Sequence, residues 1–225
     1  MSIALGLLGC GGEVKVDVPP QVPIGTSEVD LTDPETVSLG AFEGPYYFIR
    51  ALTPSVIRLA DLDAKTENFT LIGLRDGEYP PEPKAAKAVP ALTPEAAEAR
   101  QRELFQYKMD ALKALCGKNQ LWIIRMSDQA PAMIYLYQPL TSQSDPKRLT
   151  GSAQLINALA LRRGIATMEL EGVRHQCFRM MLDCQLKGVI EARGKKGEDL
   201  WRRFGLTLPA GIATTRLAEI EKEGN

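Results

Sequence analysis

The chain has one histidine, almost no net charge and no long apolar run, and each shortage removes a class of function. His175 is the only histidine. It falls in the first turn of an expected helix, where a surface or helix-end role fits better than a general base or metal ligand. A formal net charge of −1 means that the chain as a whole is no electrostatic magnet for nucleic acid. No stretch approaches the length of a membrane-spanning helix. The four cysteines give neither a disulfide framework nor a zinc spacing. Cys177 and Cys184 fall on one expected helix, roughly 10 Å apart along its axis, too far for a direct bridge. With Cys116 they read as small buried or half-buried residues. There is no internal repeat.

What is present is ordinary for a soluble globular domain with tails: 225 residues, 44% apolar and 24% charged. Residues 1–40 read as a leader and a linker rich in Pro, Gly and acids, where Pro19-Pro20, Pro23 and Pro34 interrupt regular structure. Within it Leu7-Leu8-Gly9-Cys10 resembles a bacterial lipobox, in which the cysteine carries lipid. That implies a lipid-anchored protein of the cell envelope. The segment has no basic residues before the apolar run and only nine residues before Cys10, so a short apolar element of a cytoplasmic protein is the alternative.

Residues 41–204 read as one folded domain and 205–225 as a turn with a short helix. Aromatic and branched residues over 45–59 suit strands. Asp61 to Lys65 is a polar turn, and Asn68 to Leu74 the next strand. A Pro-rich loop over 76–94 ends at Thr93-Pro94-Glu95, a hydroxyl cap, a first-turn proline and an acid, which starts a helix running to Cys116. Leu104, Phe105, Met109, Leu112, Leu115 and Cys116 form its apolar stripe. Leu121–Met126 and Met133–Tyr137 form a hairpin. Helices follow over 151–163, ended by Gly164, and 173–192, with a short strand at 166–170 between them. Trp122, Trp201 and Phe204 read as core. This order of strands and helices is α+β.

Three segments in sequence carry a resemblance. They are Val56-Ile57-Arg58-Leu59 with Phe69-Thr70-Leu71-Ile72-Gly73-Leu74, then Ile134-Tyr135-Leu136-Tyr137, then Leu155 to Ala166 with its Leu-Arg-Arg-Gly-Ile-Ala end. Together they resemble the thermonuclease (staphylococcal nuclease-like) domain family over about 140–160 residues. The resemblance implies a small five-stranded OB-type β-barrel with three packed helices. It also implies phosphodiester hydrolysis with Ca²⁺, which takes hard carboxylate oxygens, and with arginines that stabilise transition-state charge.

The motif that carries that chemistry is altered here. Thr53-Pro54-Ser55-Val56 stands where the resemblance implies an Asp-Gly-Asp-Thr turn. Thr70 and Pro131 stand at the two arginine positions, and Arg75 at a metal aspartate. Glu78 keeps the glutamate position, and Asp76 reaches the metal position by a one-residue slip. Removing one transition-state donor costs roughly 10²–10³ in rate, so this many losses imply a pseudo-nuclease. The expected function is a non-catalytic binding or scaffold module for a protein partner or single-stranded nucleic acid, with no cofactor. The alternative is a metal-dependent nuclease using Asp76, Glu78 and Ca²⁺. Binding candidates are Arg75, Tyr135, Tyr137, Arg162 and Arg163; the tyrosines are candidates for stacking on bases.

Overall fold

Alternating apolar and polar residues make the first half of the chain a run of strands. In the computed structural model, which describes residues 27–31, 40–76, 93–117, 119–140, 148–169 and 177–193, β2 (Phe42–Ala51), β3 (Val56–Ala60) and β4 (Thr66–Leu71) form an antiparallel meander. Asp61 shapes the β3–β4 turn. Its carboxylate accepts from the amides of Asp63 and Lys65 at 3.0 and 2.9 Å, an arrangement that short acidic side chains favour. β4 ends at Leu71 rather than running to Leu74, because Gly73 takes a left-handed φ of 72° and turns the chain. Leu74–Arg75 becomes a separate short strand, β5, paired with β9 (Thr167–Met168).

β6 (Leu121–Arg125) and β7 (Ala132–Pro139) form the expected second hairpin. β6 also pairs antiparallel with β2, and β7 runs parallel to β4. The pairings β2–β3–β4–β7–β6 therefore lead back to β2. The far end of β7 carries β8 (Ser152–Leu155), and β8 carries β1 (Glu28–Asp30). Among the described residues the mixed sheet thus has seven strands, where five were expected. Two segments account for the difference. Residues 152–155, expected as helix, alternate with Ala153 and Leu155 buried, and they satisfy ladders on both sides. Residues 28–30, expected as linker, bury Val29 in a strand too short for periodicity to register.

Among the described residues three helices complete the α+β arrangement. α1 (Pro94–Cys116) starts as its sequence signals require: the Thr93 hydroxyl accepts from the Ala96 amide at 3.3 Å. Its inward stripe is Leu104, Lys108, Leu112, Leu115 and Cys116. Phe105, expected inside, is exposed, and Lys108 lies one turn from both Leu104 and Leu112 on the buried side. α2 (Ile156–Arg162) is buried along nearly its whole length, packing on β7 and on α3 (Phe178–Arg193). Gly188 permits that approach, since a Cβ there would overlap the Arg162 carbonyl oxygen. No helix among the described residues is long and apolar enough to cross a membrane.

The sheet is buried unevenly, and this places its free surface. Ile57, Leu59, Phe69, Leu71, Ile123, Ile134 and Leu136 share one face through the strand registers and are fully buried. The opposite face is also buried along β6 and β7, at Trp122, Ile124, Tyr135 and Tyr137. Along β3 and β4 it stays half-exposed.

Candidate functional site

The segment that the resemblance marks as catalytic lies where β3 begins, β4 ends and β7 begins. Thr53 organises the turn before β3. Its hydroxyl accepts from the amides of Ser55 and Val56 at 3.2 and 3.1 Å and meets the Ser55 hydroxyl at 3.2 Å. The Ser55 carbonyl accepts from the Leu71 amide at 2.8 Å. The hydroxyls therefore shape the backbone of this turn, and the turn supplies no carboxylate. Thr70 sits in the ladder between Val56 and Met133.

Beyond Gly73, Arg75 and Asp76 are both exposed, and the Arg75 carbonyl accepts from the Thr167 hydroxyl at 3.5 Å. Asp76 has a cation in its field. Lys108, only 3% exposed, has its ammonium held below the usual lysine range mainly by burial, with the Asp76 carboxylate opposing that shift. Among the described residues no three His, Cys, Asp or Glu side chains gather as a metal site would need. Glu78 lies outside the described residues, as do Cys10 and His175.

A buried amide locks this corner. Asn157, fully buried on α2, accepts from the Leu136 amide at 2.9 Å. It donates to the carbonyls of Ile72 and Ile134 at 3.0 and 3.2 Å. The placement has a clear cause. Along one edge of β7 the partner changes from β4, which reaches Ile134, to β8, which begins opposite Tyr137. The Asn157 side chain supplies backbone partners in that gap. Below it, the Gln185 carbonyl oxygen accepts from the Met168 amide at 2.6 Å, tying β9 to α3.

A second polar cluster was not anticipated. Arg125, at the end of β6, places Nη1 2.9 Å from Glu67 Oε1 and Nη2 3.3 Å from Glu43 Oε2. Its guanidinium lies 5.2 Å from the Phe69 ring centroid, and Tyr46 meets the same ring edge-on at 5.7 Å. Burial, reinforced by Glu43, pushes the Tyr46 hydroxyl up. Both carboxylates are thus committed to one guanidinium, which closes one end of the apolar face. The sequence did contain a signal: Glu67 stands two and four residues before Phe69 and Leu71, on the inward side of its strand.

The remaining candidates scatter. Tyr135 and Tyr137 are fully buried, and burial, the main cause, raises both hydroxyls well above the usual tyrosine range. They offer no accessible ring to a base, which corrects the stacking role expected for them. β7 is covered on both faces, so neither ring reaches solvent. Arg162 is held by Glu191 through Nε at 3.1 Å and Nη2 at 2.6 Å, a fork that joins α2 to α3. Arg163 is exposed beside it. The thiols of Cys116 and Cys184 are buried and pushed up to about 12, and burial is the leading cause. They are therefore protonated and inert at neutral pH. No protein-family model matches this chain, and no curated protein matches it.

Proposed function

We propose that the five-strand circuit is a small OB-type barrel of the staphylococcal nuclease-like kind, and that the chain is a non-catalytic binding or scaffold module. The circuit's one parallel pairing, β4 with β7, and the following helices α2 and α3 support the fold reading. The observation that carries the functional reading is the chemistry at the end of β4. Thr53, Ser55 and Thr70 stand where carboxylates and a guanidinium would be needed. Calcium requires several hard oxygens gathered in one shell.

The test is calorimetric titration with Ca²⁺ and Mg²⁺. The module reading expects no saturable heat and no rise in melting temperature at millimolar ion. Saturable binding lost in Asp76→Asn or Glu78→Gln would favour the second reading, a metal-dependent nuclease with a rearranged site. Glu78, at the position of the family's glutamate, is the observation behind that alternative. The same proposal keeps Cys10 as a lipid-anchor residue. Incorporation of labelled acyl chain, lost in Cys10→Ala, tests it.

A further inference from the structure

Cys177 occupies a place that the other described cysteines do not share. It stands immediately before α3, and its carbonyl accepts from the Met181 amide at 3.0 Å, as the carbonyl of an N-cap residue does. The residue therefore lies at the helix N-terminus, where backbone amides and the macrodipole favour negative charge. It is half-buried, whereas Cys116 and Cys184 are buried. Cys184 follows two turns along the same helix, roughly 10 Å away along the axis, so the two sulfurs do not join directly.

A second observation points at the same sulfur. Tyr135 and Tyr137 are two residues apart on β7 and project to one side of the sheet. Both hydroxyls face Cys177. Tyr137 Oη is sealed from solvent and meets no hydrogen-bond partner of ordinary geometry. A buried hydroxyl left in that state is uncommon, and redox positions are among the places where it is found. The neutral thiol beside it is a weak acceptor. A thiolate, or an oxygen added to the sulfur, is a far better one. Oxidation of Cys177 therefore supplies the partner that the Tyr137 hydroxyl lacks.

We infer that Cys177 is a peroxide-sensitive modification site, its sulfur oxidised to a sulfenic acid that the Tyr137 hydroxyl holds. The thiol proton passes to solvent, and the thiolate attacks one oxygen of hydrogen peroxide. A sulfur–oxygen bond forms as the oxygen–oxygen bond breaks. The sulfur gives up two electrons, and the departing hydroxide takes a proton from solvent, so the products are sulfenic acid and water. The Tyr137 hydroxyl donates to the charged sulfur before the step and to the added oxygen after it. The inference goes beyond the module reading and does not depend on it.

The experiment exposes the full chain at neutral pH to hydrogen peroxide in the presence of dimedone, which traps sulfenic acid. Mass spectrometry of peptides then reads each cysteine. Cys177 should carry the adduct, and Cys116 and Cys184 should not. Cys177 should react about tenfold faster in the native chain than in urea, the effect of a hydrogen bond to a charged group, although half-burial alone would slow it. Tyr137→Phe keeps the ring and removes the hydroxyl. Cys177 should then react about tenfold more slowly, and Tyr135→Phe should slow it in the same direction.

Stability separates this role from a structural one. Removing an orphaned hydroxyl should leave the melting temperature of Tyr137→Phe equal to or above that of wild type while the reaction slows. The comparison of native chain with urea needs no variant, so it decides the matter even where Tyr137→Phe does not fold. The inference is overturned by an unoxidised Cys177 in the native chain, by equal labelling of all three cysteines, or by a native rate no higher than the rate in urea. It is overturned equally by a Tyr137→Phe variant that reacts as fast as wild type. A lower melting temperature in that variant would assign the hydroxyl to the fold and overturn it as well.

Discussion

Replacing Asn157 by alanine should be among the most destabilising single changes in this chain. The Leu136 amide would lose its acceptor inside the core, costing about 1–3 kcal/mol, and the carbonyls of Ile72 and Ile134 would each lose a donor, at about 0.5–1.5 kcal/mol. Ile134 keeps the Ile72 amide at 3.0 Å, so its loss falls at the lower end. The sum is about 4 kcal/mol, a large part of the roughly 5–15 kcal/mol that holds a domain together. With a urea slope of about 2 kcal/mol per molar, the unfolding midpoint should fall by about 2 M. The buried Trp122 indole reports the transition by fluorescence.

Asn157→Asp provides an independent check. One carboxylate oxygen can still accept from Leu136, but the other faces two carbonyls and needs a proton. Burial and those carbonyls raise the folded pKa above the unfolded value of about 3.9. The contribution of this group is fully present below the unfolded value and is lost as pH rises through the folded one. The gap between wild type and Asn157→Asp should therefore widen from acid to neutral pH. A loss under about 1 kcal/mol in Asn157→Ala, or a gap in Asn157→Asp that does not change with pH, would refute the role given to this amide.

Other outcomes follow from the same geometry. Gly188→Ala should destabilise the fold by about 1–3 kcal/mol despite alanine's better helix propensity, because α2 and α3 must separate; chemical denaturation measures it. Burial lowers the folded pKa of Lys108 below the unfolded value of about 10.4, so the unfolded chain binds more protons between the two values and stability rises with pH there. Lys108→Met should be more stable than wild type at neutral pH, and the difference should shrink as pH approaches 10.4, read from paired melting curves. Iodoacetamide at pH 8 should leave Cys116 and Cys184 unlabelled in the native protein and label both in denaturant, by mass spectrometry of peptides. Arg125→Met should lower stability and leave Glu43 and Glu67 facing each other uncompensated, so its deficit should narrow in high salt.

The sequence made the local elements legible where turn chemistry and periodicity agreed. Thr93-Pro94 located the start of α1, and the alternation around Asp61–Lys65 located the β3–β4 hairpin. It failed where long-range pairing decided. Ser152 to Leu155 reads as the entry to a helix until β1 and β7 claim its ladders, and Glu28 to Asp30 is too short to show a period. Lys108 was passed over because a charged residue is not expected on the buried stripe of a helix. The Arg125 cluster was missed because it is assembled by strand register, which composition and spacing do not reveal. Tyr135 and Tyr137 went astray for the opposite reason: β7 is covered on both faces, so alternation there has no exposed side to mark.

The most direct measurement is the fate of a labelled single strand held at saturating protein with Ca²⁺ or Mg²⁺ and, in parallel, with chelator. The account predicts that the strand is recovered at full length under every condition. Fragments that accumulate only with metal, and that disappear in Glu78→Ala, would contradict it and make the chain a hydrolase.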